Sequence, residues 1–175
     1  MIELKVSGDI ELVLVREEFI PEFLNFVKTD FDYLSEWLEW PRVTKTASDF
    51  EQFVLESKRG YESSESMNCA ILYKGAVAGV CGFNKIDVKL RRVEVGYWLG
   101  KAFQKCGIAT SACAHLIKYA FSLPEIDKVQ ISVAVGNKAS RAVCERLNMH
   151  LEGIVTNEER IGNKVLDHAI YALHK

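Results

Sequence analysis

Apolar and polar residues alternate over residues 2–6 and again over 10–15, on either side of Ser7-Gly8-Asp9. A period of two broken by a turn-forming triplet predicts two strands joined as a hairpin. Phe19, Phe23, Leu24, Phe26 and Val27 then recur at helical spacing, with Pro21 near the start of the segment. Ser48-Asp49-Phe50-Glu51 has the form of a capping box and is followed in phase by Phe53 and Val54, so a second helix is expected to open at Ser48. From Met67 the texture changes. Residues 68–73 and 76–84 read as strands joined through Lys74-Gly75, and 93–99 as a further strand. Ile108, Ala112, Leu116 and Ala120, with Ala109, Cys113 and Ile117 beside them, predict a largely buried helix over 108–121. Residues 128–135 are strand-like and 138–147 helical, and 150–156 and 165–173 read as two closing strands. The order is ββααβββαβαββ. It implies an α/β domain built on a mixed sheet, antiparallel in front and βαβ in the centre.

Composition narrows the function classes. The 175 residues suit a single domain, 1–175, and 49% hydrophobic with 26% charged residues is ordinary globular composition. With 22 Lys+Arg against 24 Asp+Glu the net charge is −2, so the chain has no broad basic field and nucleic acid is not the expected partner. The alternating N-terminus lacks the apolar run of a signal peptide, and no stretch is apolar for 18 residues, so no membrane span is expected. Cys69, Cys81, Cys106, Cys113 and Cys144 are odd in number and form no C-x-x-C pair. They read as free thiols of a cytoplasmic protein. His115, His150, His168 and His174 have no metal-ligand spacing, so no metal is expected.

The chemistry concentrates in Gln104-Lys105-Cys106-Gly107-Ile108-Ala109, between the strand ending near Leu99 and the helix starting near Ile108. A loop entering a helix presents unpaired N–H groups, and the helix dipole favours an anion there. Gly107 lets the backbone approach a bulky phosphate or take a positive φ, and Lys105 adds charge. The expectation is a pyrophosphate cradle. The loop has neither the spaced glycines of a Rossmann fingerprint nor the Gly-Lys-Ser/Thr of a P-loop.

Gln104 to Ala109 resembles the acetyl-CoA pyrophosphate loop of the GNAT N-acetyltransferases. Asn137-Lys-Ala-Ser140-Arg-Ala-Val-Cys144-Glu-Arg-Leu-Asn148-Met149 is similar to their second signature. The element order matches that fold over nearly the whole chain. Tyr97-Trp98-Leu99-Gly100, Asn137-x-x-Ser140 and Leu151-Glu152-Gly153 before a terminal hairpin look most like the RimJ/RimL branch, which includes acetyltransferases of ribosomal-protein N-termini. The resemblance implies a central mixed, twisted sheet of about seven strands flanked by about four helices. Three departures stand out. Asn148-Met149 replaces the usual Gly-Phe, which points to a changed helix C-cap. Cys144 stands where many relatives carry a tyrosine general acid, and Ala109 replaces a second glycine.

The resemblance further implies direct acetyl transfer from acetyl-CoA to a primary amine, with no metal and no covalent enzyme intermediate. Cofactor contacts are expected from Trp98, Leu99 and Gly100, from Gln104, Lys105, Cys106, Gly107, Ile108, Ala109 and Thr110, and from Asn137 and Ser140. A backbone N–H near Trp98-Leu99 would face the developing oxyanion. Glu94 is the first candidate base and Glu159 the second. Ser140 would protonate the departing thiolate, with a helix-capping role as its alternative, and Cys144 has its thiol and a packing role. The segment Phe31 to Trp40 would flank the acceptor groove, with Asp30, Asp32, Glu36 and Glu39 attracting a cationic amine and Tyr33, Trp37 and Trp40 walling the site. The same spacing equally suits plain packing of Leu34, Trp37 and Leu38. The expected acceptor is a protein N-terminus. A small primary amine (polyamine, amino sugar or antibiotic) and an inactive acyl-CoA-binding module remain as alternatives; a peptide asks for an open groove, a small molecule for an enclosed pocket. The acyl group need not be strictly acetyl. A homodimer would form through exposed residues in 150–173.

Overall fold

The computed structural model describes residues 3–175, so Met1 and Ile2, at the start of the first expected strand, lie outside the described residues. One sheet of eight strands runs in the order β1-β2-β3-β4-β5-β6-β8-β7, one more than the family resemblance suggests. β1 (Glu3–Lys5) and β2 (Ile10–Leu14) form the expected hairpin, with Leu4 opposite Leu12. β3 (Met67–Tyr73), β4 (Ala76–Asp87) and β5 (Arg92–Leu99) continue antiparallel. β6 (Lys128–Ala134) is the parallel partner of β5, and β8 (Lys164–His174) and edge strand β7 (His150–Ile161) close the sheet antiparallel.

Each face of the sheet carries its own core. On one face α5 (Ile108–Ser122) buries Ile108, Ala112, Leu116 and Ala120, the positions its periodicity singled out, against Ile71, Val93, Val95 and Ile131. On the other, α1 (Ile20–Thr29) and α4 (Ala47–Glu62) pack Phe23, Phe26 and Phe50 against Val13, Ala70 and Val80.

Six α-helices occur among the described residues, against about four expected. The two additional ones, α2 (Phe31–Leu34) and α3 (Trp40–Val43), are single turns too short to leave a periodic signal. The cap of α4 also differs from expectation. Thr46, not Ser48, is the N-cap: its Oγ1 accepts the Asp49 N–H (3.2 Å), while Asp49 Oδ2 accepts the N–H of Thr46 (2.8 Å) and Lys45 (2.9 Å). The short carboxylate of Asp49 closes the box backwards and so starts the helix two residues early. These two N–H donors and the Thr46 hydroxyl hold the Asp49 carboxyl below the usual range. After α6 (Lys138–Arg146) the expected change of C-cap is present. Asn148 takes φ +55°, with Asn148 N–H bonded to Glu145 O (3.0 Å) and Met149 N–H to Cys144 O (3.0 Å), a Schellman pattern in which Asn replaces Gly.

Candidate active site

The site begins where two strands part. β5 and β6 pair only at Arg92–Lys128, Val93–Val129 and Glu94–Gln130. Both then continue, β5 to Leu99 and β6 to Ala134, on either side of a wedge. A cavity of about 1110 Å³, open to solvent, fills it. Glu94 stands at the apex, with its Oε2 3.5 Å from Gln130 Nε2.

The loop from Gln104 and the N-terminus of α5 form one wall. Gly107 is the N-cap residue at φ +72°, and a Cβ added there would meet nothing within 4 Å. Glycine is therefore demanded by backbone conformation, and the space beside it is open. The first N–H groups of α5 lack intrahelical acceptors and face this region. Lys105 lines it, and Arg146 joins from α6 with its Nε 3.1 Å from Thr110 Oγ1. The loop is tied down by Gln104 Nε2 donating to Tyr33 Oη (2.6 Å) and by Lys101 N–H donating to Asp30 Oδ2 (2.7 Å).

Most of the expected residues line the cavity: Glu94, Trp98, Leu99, Gln104, Lys105, Gly107, Ile108, Ala109, Thr110, Asn137, Ser140 and Glu159. Gly100 and Cys106 are not among its lining. Gly100 lies against Phe26, whose ring would sit 2.2 Å from an added Cβ, and Cys106 is exposed with its Sγ 3.4 Å from Gln104 O. The cap of α6 falls to Asn137, whose Oδ1 accepts the Ser140 N–H at 3.1 Å, so the Ser140 hydroxyl is not the cap. That hydroxyl lies 2.6 Å from Tyr97 Oη, which burial holds well above the ordinary phenol range. Cys144 is fully buried, and desolvation pushes its thiol up to about 12. It packs in the core, as its alternative reading has it.

The Phe31–Trp40 segment both packs and lines. Leu34 is buried, and Tyr33, Trp37, Leu38 and Trp40 border the cavity, with the Trp40 and Trp98 ring centroids 5.1 Å apart. Of the four acids, Asp30 is spent on the loop, and Glu39 accepts the Gly162 N–H (2.7 Å) beside Arg42 (3.7 Å).

Glu159 reaches the cavity through an irregularity in β7. Val155 pairs with His168 and Glu159 with Leu166, so four steps of β7 oppose two of β8. Asn157 within the bulge takes φ +55°, and its N–H is held by Asp167 Oδ1 at 2.9 Å. The Glu159 carboxyl is raised above the ordinary range, first by desolvation and further by Glu39 and Glu158, with His168 opposing. Its Oε2 lies 3.2 Å from His168 Nε2. Reading the sequence missed Tyr97, His168, Ser132 and Arg146. Each touches a partner distant in the chain, which no local pattern reports.

A model of the acetyltransferase (GNAT) domain matches residues 9–150. The chain belongs to the GNAT acetyltransferase family. The expected fold and transferase class are thereby established. Among its GNAT relatives, YdaF of Bacillus subtilis, assigned by name only as a ribosomal N-acetyltransferase, is 30% identical over 100% of this chain and 96% of its own. A structure of RimL, a ribosomal-protein α-N-acetyltransferase in complex with coenzyme A, superposes with TM-score 0.94 at 25% identity, covering 99% of this chain and 98% of that one. The microcin self-immunity acetyltransferase MccE, in complex with acetyl-CoA and AMP, superposes equally well, with TM-score 0.94, 28% identity, and 98% and 96% coverage.

Proposed function

We propose that this GNAT domain, 1–175, transfers acetyl from acetyl-CoA to the α-amino group of a protein N-terminus. The observation that carries the reading is the continuity of the wedge. One open cavity runs from the Gly107 cradle past Ser140 and Glu94 to Glu158 and Glu159. The loop N–H groups, Lys105 and Arg146 suit a pyrophosphate, and the acidic, aromatic far end suits an ammonium group. An α-amino group, with a pKa near 7.7–8.0, asks far less of a carboxylate base than a lysine near 10.4.

The two candidate carboxylates take different parts. Glu159, whose carboxyl is raised, accepts the amine proton as nitrogen attacks the thioester carbon. Glu94 at the apex, beside Gln130, orients the acceptor. A backbone N–H of β5 beyond the last β6 pair meets the developing oxyanion. The carbon–sulfur bond then breaks, and the Ser140 hydroxyl donates a hydrogen bond to the departing sulfur while Tyr97 steadies that hydroxyl. Ser140→Ala is expected to lower kcat about tenfold or more, and Tyr97→Phe by less, with acetyl-CoA affinity retained in both. Calorimetry paired with a thiol-release assay checks this; a kcat equal to wild type in Ser140→Ala removes the hydroxyl from the reaction.

Acceptor class is tested by mass spectrometry on N-terminal peptides, lysine peptides blocked at the N-terminus, and small amines. A mass gain confined to free N-termini supports the reading, and acetylation of small amines alone overturns it. The second reading, a small-molecule acceptor, draws on the likeness to MccE and its AMP. We further propose the cytoplasm, where acetyl-CoA and reduced thiols coexist, as the compartment. Among the described residues no helix is long and apolar enough to cross a membrane, and all five cysteines are unpaired. We propose that a second copy of the chain docks on the β7–β8 hairpin, where Leu151, Ile154, Val155 and Val165 are exposed on and beside an edge strand. Sedimentation velocity is expected to give a dimer that Val165→Lys dissociates; a monomer at all concentrations removes this assignment.

A further inference from the structure

We propose that His168 is the positioning residue of the Glu159 carboxylate, anchored from behind by Ser132, so that a hydroxyl–imidazole–carboxylate chain crosses three strands and ends in the wedge. The inference rests on the reading of Glu159 as the base.

The sheet register builds the chain. On β6 and β8, Ser132 pairs with Ile170 and Ala134 with His168, so Ser132 and His168 are diagonal neighbours on one face. On β8 and β7, Glu159 pairs with Leu166, which makes Glu159 the next diagonal neighbour of His168 on that same face. Without the β7 bulge, position 157 would oppose Leu166, and an asparagine would stand where the carboxylate does. The bulge therefore substitutes one side chain for another at the site.

Distances agree with the register. His168 is buried, with 7% of its surface exposed, and its Nδ1 lies 2.8 Å from Ser132 Oγ. In the proposed tautomer the Ser132 hydroxyl donates to Nδ1 and the ring N–H sits on Nε2, facing Glu159. Nε2 has no solvent contact and no aligned acceptor, yet Glu159 Oε2 is 3.2 Å away. A buried N–H lacking its acceptor is costly, so the ring draws the half-exposed carboxylate toward the wedge and limits its rotation. The other charged groups facing Glu159 are Glu158 beside it and Glu39 from the segment before α3. Both are acidic and repel it, which leaves His168 as the group that favours its ionised form.

The test is the pH profile of kcat for His168→Gln, Ser132→Ala and Glu159→Gln, read by thiol release with a saturating N-terminal peptide. A base must be ionised, so the rate climbs as pH rises through the Glu159 pKa. Loss of the imidazole moves that acid limb to higher pH. Below the limb, kcat of His168→Gln falls about 10- to 100-fold, recovering toward wild type at alkaline pH, while KM for acetyl-CoA stays constant. Ser132→Ala moves the limb in the same direction by less, and it retains the buried ring should His168→Gln fold poorly. A limb that stays in place in Ser132→Ala and in folded His168→Gln, while Glu159→Gln abolishes it, overturns the role of His168 alone. A limb that survives Glu159→Gln overturns the base assignment and this inference with it.

Discussion

Glu159→Gln is expected to lower kcat at neutral pH by about 10²- to 10⁴-fold, the usual worth of a positioned general base. Binding of acetyl-CoA should be unchanged, because the proposed pyrophosphate cradle is built by the loop before α5 and Glu159 stands on β7. The effect follows from the environment of the carboxyl. Desolvation, with Glu39 and Glu158 nearby, raises it above the ordinary glutamate range, which brings its basicity closer to that of an α-amino group. The activity sign is fixed by the need for the ionised form: the acid limb rises with pH and disappears in the glutamine variant. The stability sign is the opposite. A carboxyl whose folded pKa is raised favours the folded state at low pH and loses that contribution as pH climbs through the raised value. Glu159→Gln should therefore flatten the loss of thermal stability over that window. Unchanged kcat together with an intact acid limb would transfer the base assignment to Glu94, with Glu94→Gln as the next variant.

Gly107→Glu is expected to abolish measurable binding of acetyl-CoA in calorimetric titration. Two effects combine. At φ +72° a side chain costs about 1–3 kcal/mol in backbone strain, which disturbs the start of α5. A carboxylate also enters open space where the N–H groups, Lys105 and Arg146 converge, since an added Cβ meets nothing within 4 Å. Placed about 4 Å from a bound phosphate, it adds a repulsion of about 4 kcal/mol at an effective dielectric of about 20, or roughly a thousandfold in affinity. Gly107→Ala carries the strain without the charge and should lose affinity by a smaller factor. Equal binding by wild type and a folded Gly107→Glu would move the cofactor out of this loop.

Much of the geometry of the Gly107 loop was legible in advance because it is local. Gly107, Lys105 and the first turn of α5 lie within a few residues of one another, and the physics of a helix N-terminus depends on little else. The changed cap at Asn148 was legible for the same reason. The capping box was expected at Ser48 with Glu51 and lies at Thr46 with Asp49, because two hydroxyl-x-x-acid patterns overlap there and only backbone geometry decides which of them closes. The partners of Ser140 and Glu159 were out of reach. Tyr97 lies on β5 and His168 on β8, and neither sequence distance nor residue type links them to the groups they touch.

The sequence by itself determined the strands and principal helices, the faces they bury and the glycine at the mouth of α5, because hydrophobic period and φ preference act within a few residues. Tertiary structure alone decided where β5 and β6 part, which residue the β7 bulge presents, and that Ser132, His168 and Glu159 stand in line. Hydrophobic period records which face of a strand is buried. It carries no record of where a ladder ends or how far a register slips, and the wedge is made of those two things.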